Sequence, residues 1–355
     1  METCIWQKQG WPYLTWNMKE LSCVLGEVRN RQGRLAGKAS LLGADLKREL
    51  LFNSIALDVV KSAELEGVAL DADAVLASVA RQLNSDASAG RAEIVDPLAD
   101  PAVQVHADVL FNCALPVTEE RLFKWKRALS ATRGEAAYRN TLLYEMSSGT
   151  SGYLYIQDSY PVSEEMKRFI QWMNTIHPTD PVIKAGVACL RMSLIRPFDE
   201  DNGRIARALS DMFLTRADNS PQRLYSLSSQ ICSRKEMYHD VMKNMRNGNL
   251  DITEWLRWYL YCLETELEET ENSLTRILEK SKFWERYRLI RLNERQVKMI
   301  NLLWEGMDDK LTSSCWATVN FCSPDTALRD IQDLIQKNIL RKRNSGGRST
   351  SYALN

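Results

Sequence analysis

The sequence predicts a mainly α-helical protein, a helical bundle carrying one β-hairpin and followed by a C-terminal winged helix-turn-helix. Three stretches predict it. Residues 181–195, PVIKAGVACLRMSLI, are apolar on almost every side, as a helix through the middle of a bundle must be. Residues 138–160 hold two strand-like runs rich in Tyr, Leu and Ile around a Ser/Gly/Thr tip, which is a hairpin pattern. Residues 323–352 read as a capped helix, a strand, a glycine-containing wing and a second strand.

Composition bounds the function. A chain of 355 residues with 45% hydrophobic content buries at least one full core. Its 46 basic residues balance 46 acidic ones, so no global field recruits nucleic acid or membrane and any such binding is local. The eight cysteines are scattered without a C-x-x-C pair and read as thiols of a reducing compartment. The N-terminus lacks a basic-then-apolar signal pattern and no window approaches 18 apolar residues. A cytoplasmic protein with no membrane partner is expected.

Taken in order, residues 1–45 carry Trp6, Trp11 and Trp16 with the series Gly33, Gly37 and Gly43, and suggest a small aromatic-anchored cap that serves packing. A helix is expected from Asp45 to about Glu64, stopped by Gly67, and a second from about Asp71 to Leu83. Small and turn-forming residues make 84–101 a linker, after which helices run to about Ser130. The hairpin at 138–160 has little to pair with in a helical domain, so it either packs on a helix or offers its edge to an extended peptide. Pro197 turns Arg196 out of helical geometry and ends the central helix at Ile195. After an Asn202-Gly203 turn, Ile205, Ala208, Leu209, Met212 and Phe213 resume helical spacing. Residues 251–290 supply amphipathic helices and Leu292–Trp304 another. In the last segment Ser323 caps, Pro324 opens, and Ala327, Ile331, Leu334 and Ile335 share one face.

The junction IRPFDEDNGRIAR, 195–207, concentrates the chemistry. The free N–H groups and positive dipole end of the second helix attract an anion, and Arg204 adds a forked donor. Asn202 and Gly203 let the backbone approach a phosphate closely. Glu200 is of the type that holds Mg²⁺ between phosphates, and Arg207 projects from the same face as Arg204. Together these describe a site for a nucleotide polyphosphate with a metal. The competing reading is a solvated charged loop that caps a helix.

In this order the residues resemble the signature of the Fic family, His-x-Phe-x-(Asp/Glu)-Gly-Asn-Gly-Arg-x-x-Arg. Phe198, Glu200, Asn202, Gly203, Arg204 and Arg207 match in register. The resemblance implies a mostly helical fold that transfers AMP from ATP to a hydroxyl of a target protein. Glu200 would hold Mg²⁺, while Phe198, residue 201, Asn202, Gly203, Arg204 and Arg207 would form the nucleotide site. The family also implies an inhibitory helix with (Ser/Thr)-x-x-x-Glu-(Gly/Asn), matched by Ser62, Glu66 and Gly67. There Glu66 would pair with Arg207 and keep the γ-phosphate from its productive place. The hairpin at 138–160 would be the flap that docks the target protein. The implied segments are a cap with inhibitory helix (1–100), a Fic core (101–250), connecting helices (251–290) and a winged helix-turn-helix (291–355).

Two departures fall on the chemistry. The family's catalytic His is Arg196, whose guanidinium stays protonated and cannot act as the base. The first Gly of the Gly-Asn-Gly turn is Asp201, which tolerates a left-handed turn but brings a negative charge toward the phosphates. His106, His177 and His239 lie outside the signature, and His177 reads as a surface residue. The basic residues Arg329, Arg341, Lys342, Arg343 and Arg348 suit DNA phosphates, although Asp325, Asp330 and Asp333 dilute them and leave an interaction or homodimerisation module open. Two functions follow. One is an AMP-transferase framework using ATP and Mg²⁺, weak or inactive for want of the His; the other is a catalytically silent, nucleotide-responsive regulator that binds DNA.

Overall fold

The structure, a computed structural model, describes residues 4–83, 96–130, 136–139, 162–306, 311–343 and 350–355, together with the backbone of two strands at 143–146 and 153–156. The chain divides into two compact units, Met1–Asn272 and Ser273–Asn355, a coarser division than the four segments read from sequence.

The first unit is helical: α1 (Met18–Ser40), α2 (Ala44–Leu65), α3 (Ala72–Leu83), α4 (Ala99–Phe111), α5 (Glu119–Leu129), α6 (Val162–Asn174), α7 (Pro181–Ile195), α8 (Asn202–Asp218), α9 (Leu227–Ser233), α10 (Lys235–Asn247) and the first part of α11 (Thr253–Tyr287). Between α5 and α6 run β1 (Leu143–Met146) and β2 (Tyr153–Ile156), an antiparallel pair with Leu143 opposite Ile156. The hairpin tip and the linker residues 84–95 lie outside the described residues. The centre is α7, buried from Ala185 to Ile195 and packed along α8. It starts where the Asp180 side chain accepts from Val182 N at 2.8 Å, with Pro181 in the first turn. Gly186 has a packing role, because a Cβ there would stand 2.9 Å from Leu256 Cδ2 while its carbonyl accepts from Trp255 Nε1 at 2.9 Å.

Residues 1–45 differ from the cap expected of them. Gly33 and Gly37 lie inside α1, a 23-residue helix that buries Leu21, Leu25, Val28, Gln32, Leu35 and Ala39 on one face. Each internal glycine costs about 1 kcal/mol of helix propensity, and that apolar face overrides it. Residues 251–290 likewise form one helix over Thr253–Tyr287 rather than several.

In the second unit, α12 (Glu294–Trp304), α13 (Ser313–Val319), α14 (Pro324–Gln336), β3 (Leu340–Lys342) and β4 (Tyr352–Leu354) follow in helix-turn-helix-wing order. Leu311 bridges to Tyr352 and adds a third short rung to the antiparallel β3–β4 pair. Ser323 accepts from Thr326 N at 3.2 Å as the cap of α14. The core holds Met299, Ile300, Trp316, Ala327, Ile331, Leu334 and Leu340.

Candidate functional site

The loop between α7 and α8 turns on two left-handed residues. Arg196 has φ 46° and Asp201 has φ 62°, while Asn202 and Gly203 are already the first residues of α8. The turn therefore lies one residue earlier than the Asn-Gly pair suggested. Pro197 disfavours the right-handed helix at Arg196, and the residue takes the left-handed region there. Asn202 staples the loop: its Oδ1 accepts from Phe198 N at 2.9 Å and its Nδ2 donates to Phe198 O at 2.7 Å. Arg139 fixes the other side, donating from N to Pro197 O at 2.8 Å and from Nε to Arg196 O at 2.7 Å.

Two of the loop's three acids, Glu200 and Asp201, are held by cations of the same unit. Lys126 Nζ donates to Glu200 Oε1 and to Asp201 Oδ2, each at 3.0 Å. Ser130 Oγ donates to the same Glu200 oxygen at 2.8 Å. Hydrogen bonds from Lys126 and Ser130 hold the Glu200 carboxyl below the usual carboxylate range. Asp201 Oδ1 accepts from Arg204 Nη1 at 3.2 Å, and that nitrogen also donates to Leu129 O at 3.2 Å. Burial lowers the Arg204 pKa, with Asp201 working in the opposite direction.

Arg207 is clamped from α2. Its Nε donates to Ser62 Oγ at 2.9 Å, and its Nη2 donates to Ser62 O at 2.7 Å and to Glu66 Oε1 at 3.1 Å. Glu66 is aimed by the way α2 ends. Gly67, with φ 78°, bonds back to Glu64 O, and Val68 N bonds to Ala63 O, so the chain closes in a Schellman turn with Glu66 as C-cap. The carboxylate then rests on Gly203, where any Cβ would overlap it.

A cavity of about 370 Å³ opens beside the loop, lined by Arg196, Glu200, Asp201, Asn202, Gly203 and Glu66 on one side. From α10 come Tyr238, His239, Met242 and Arg246. No motif marked these α10 residues; only the i, i+4, i+8 spacing of 238, 242 and 246 hinted that they share a face. Three residues grouped with the nucleotide site from sequence do not line it. Phe198 is fully buried, 6.1 Å from the Phe123 ring and 5.8 Å from the Tyr138 ring, because an apolar ring on a tight loop finds the core. Arg207 lies under the Ser62–Glu66 clamp. Arg204 borders a separate cavity of about 30 Å³ with Asp58, His106 and Asp211.

That small cavity belongs to a buried polar network. Ligand atoms of Asp58, His106 and Asp211 lie within 4.8 Å of one another, but each acid has an internal partner. Arg223 Nη2 donates to Asp211 Oδ1 at 2.6 Å, and Ser226 Oγ donates to Asp58 Oδ1 at 2.6 Å. Burial pushes the His106 pKa down to about 4 and the Asp211 carboxyl well above its ordinary value.

Residues 116–214, from the start of α5 into α8, match the profile described as Fic/DOC family. This region is a Fic domain. Residues 4–85 match a second profile, described as a domain of unknown function (DUF4172), so the clamp joins Glu66 of one region to Arg207 of the Fic domain. A curated relative, the protein adenylyltransferase Fic of Drosophila ananassae, is 30% identical over 105 residues, which is 29% of this chain and 20% of the relative. The match thus spans about a fifth of that protein's length. Among solved structures, a Fic family protein from Desulfovibrio desulfuricans G20 superposes with TM-score 0.55 at 16% identity, over 97% of this chain and 98% of that one. Fic-1 from C. elegans gives TM-score 0.52 at 17% identity, over 73% and 74% of the two chains. These likenesses carry the fold of the Fic domain and its neighbours.

In the second unit, Arg329, Arg341, Lys342 and Arg343 are exposed, and Arg348 lies outside the described residues. Two of the diluting acids are used internally: Asp330 pairs with Arg295 at 2.7 Å and Asp333 with Lys337 at 2.6 Å. His177 is half-buried, near Trp172 O at 3.2 Å, and does not line the large cavity. Among the described residues no helix is long and apolar enough to cross a membrane.

Proposed function

We propose that the 370 Å³ cavity takes a nucleotide at the N-terminus of α8 and that this Fic protein is catalytically silent, or nearly so, in AMP transfer to a protein hydroxyl. The observation that carries this reading is Arg196. It lines the same cavity as Asn202 and Gly203, at the position where the family has its base, and it offers a cation that cannot accept a proton. Cavity size supports the ligand, since small-molecule sites run from about 300 to 1,000 Å³. The name of the Drosophila relative supports AMP as the group handled. A bound ATP would supply the adenylyl group, with pyrophosphate as the leaving group. The chain's residues would orient it through the first N–H groups of α8, and Glu66 on Arg207 would hold one arginine out of reach. Divalent metal is a poorer fit, because Glu200 Oε1 already accepts from Lys126 and Ser130.

Label transfer from α-labelled ATP, read by mass spectrometry on Ser, Thr or Tyr, tests the reading. The natural chain is expected to give little signal, and the combination Arg196→His, Asp201→Gly and Glu66→Gly to raise it by about 10²-fold or more. His239 supplies a control, because it also faces the cavity. Strong transfer by the natural chain that His239→Ala abolishes would make His239 the base and end the silent reading.

A second reading, duplex DNA bound by 291–355, is favoured by one observation. Asp330 and Asp333 are paired with Arg295 and Lys337, so of the three diluting acids only the exposed Asp325 remains to offset the exposed Arg329, Arg341, Lys342 and Arg343.

A further inference from the structure

Lys126 sits in the last turn of α5 with its side chain only 11% exposed, between the buried Trp125 and Leu129. Its charge is met by carboxylates from the loop 74 and 75 residues further on. The ammonium lies 3.0 Å from an oxygen of Glu200 and 3.0 Å from an oxygen of Asp201. That is the work a divalent ion does between neighbouring acids: it cancels their repulsion and fixes their direction. The other Asp201 oxygen is met by Arg204, so two of the loop's three acids, Glu200 and Asp201, have cationic partners from within the unit, while Asp199 also lines the cavity. Mg²⁺ demands a near-octahedral shell of oxygens at about 2.0–2.1 Å. The ammonium occupies Glu200 Oε1 and Asp201 Oδ2 and opposes a divalent ion there by volume and by like charge, although the Glu200 side chain is itself 53% exposed. Burial holds Lys126 in place, because withdrawing it would leave the Asp201 carboxylate, 9% exposed, with one partner fewer.

We propose that Lys126 is the resident cation of the 196–207 loop and that the cavity takes its phosphate-bearing ligand without a divalent metal. The ligand half rests on the nucleotide reading above; the cation half stands on the geometry of Lys126 alone.

Titration of the full chain with Mn²⁺, followed by electron paramagnetic resonance without nucleotide, reads the cation half. The natural chain is expected to show no Mn²⁺ binding that Glu200→Gln removes. Lys126→Met keeps the stem and drops the charge, and is expected to create a Mn²⁺ site; Lys126→Arg is expected to keep it closed. Natural-chain Mn²⁺ binding that disappears in Glu200→Gln overturns the proposal, as does a Lys126→Met protein that melts cooperatively yet gains no site. Should Lys126→Met not fold, the comparison of the natural chain with Glu200→Gln still decides. Calorimetry with ADP in EDTA and in Mg²⁺ reads the ligand half, and equal affinity is expected. An affinity about tenfold or more weaker in EDTA overturns metal independence. Absence of ADP binding in both buffers instead sinks the nucleotide reading, and the Mn²⁺ titration then decides the role of Lys126 by itself.

Discussion

Arg204 and Arg207 of the first unit are 7% and 3% exposed and bond to carboxylates of their own unit, whereas Arg341, Lys342 and Arg343 of the second unit stand in solvent. The two groups hold charge for different ends. Inside the Fic domain Asp201 holds Arg204 and Glu66 holds Arg207, so under the nucleotide proposal an anion would reach either arginine only by an exchange of partners in a low-dielectric setting. At the wing there is no internal competitor of that kind for these residues in the described structure. Attraction is long-ranged, weak per contact and screened by salt over about 8–10 Å. Selectivity is accordingly expected of the first surface and salt sensitivity of the second.

The contrast breaks if buried charges prove dispensable. The largest effect is expected at Arg223, whose side chain is 2% exposed and bonded to Asp211. Arg223→Met leaves Asp58 and Asp211 without their cation and should cost about 3–5 kcal/mol in urea unfolding. A loss under about 1 kcal/mol would mean that the network is not held by charge. His106 gives the next effect. Its folded pKa of about 4 lies below the ordinary His value, so the unfolded chain binds the proton more readily. Its contribution is therefore complete above about pH 6.5 and is lost as pH falls toward 4, by about 3 kcal/mol. Asp211, with its raised pKa, takes up a proton on folding and acts in the opposite direction; Asp58 and Arg223 face the same ring. The measurement is thus the difference between the natural chain and His106→Gln across that window, and a flat difference would refute it. The smallest stability effect belongs to the wing: Arg341, Lys342 and Arg343 changed to Ala should each stay within about 0.5 kcal/mol. If they touch phosphates, the triple change should still lower the log–log salt slope of duplex binding by about 3. Duplex binding indifferent to salt would remove the DNA reading and leave a protein-interaction module.

Much of this was legible wherever one local rule decides. Pro197 announced the end of α7, Gly67 the end of α2, and the capped apolar pattern of 323–337 the helix α14. The pairing of Glu66 with Arg207, expected from the resemblance, is present at 3.1 Å. What was not legible depends on approach in space. Lys126 looked like any charged residue of an amphipathic helix until α5 met the loop. Asp201 carries the expected left-handed turn, but its charge points to Lys126 and Arg204, a direction no sequence reveals. Tyr238 and His239 join the cavity only because α10 folds back over it. In α1 the glycines drew attention away from an apolar face at ordinary helical spacing, which decided the structure.

Gly203 is a helical residue with no need of an unusual φ, yet it has no room to be anything else while Glu66 is seated. An added methyl would collide with the Glu66 carboxylate and stand 3.0 Å from Arg207 Nη1. Alanine at 203 would therefore work as a doorstop: it would evict the glutamate by bulk and leave every charge of the site unaltered. A glycine at this point records the shape of the neighbour that leans on it, and one methyl group separates a latched door from one that no longer closes.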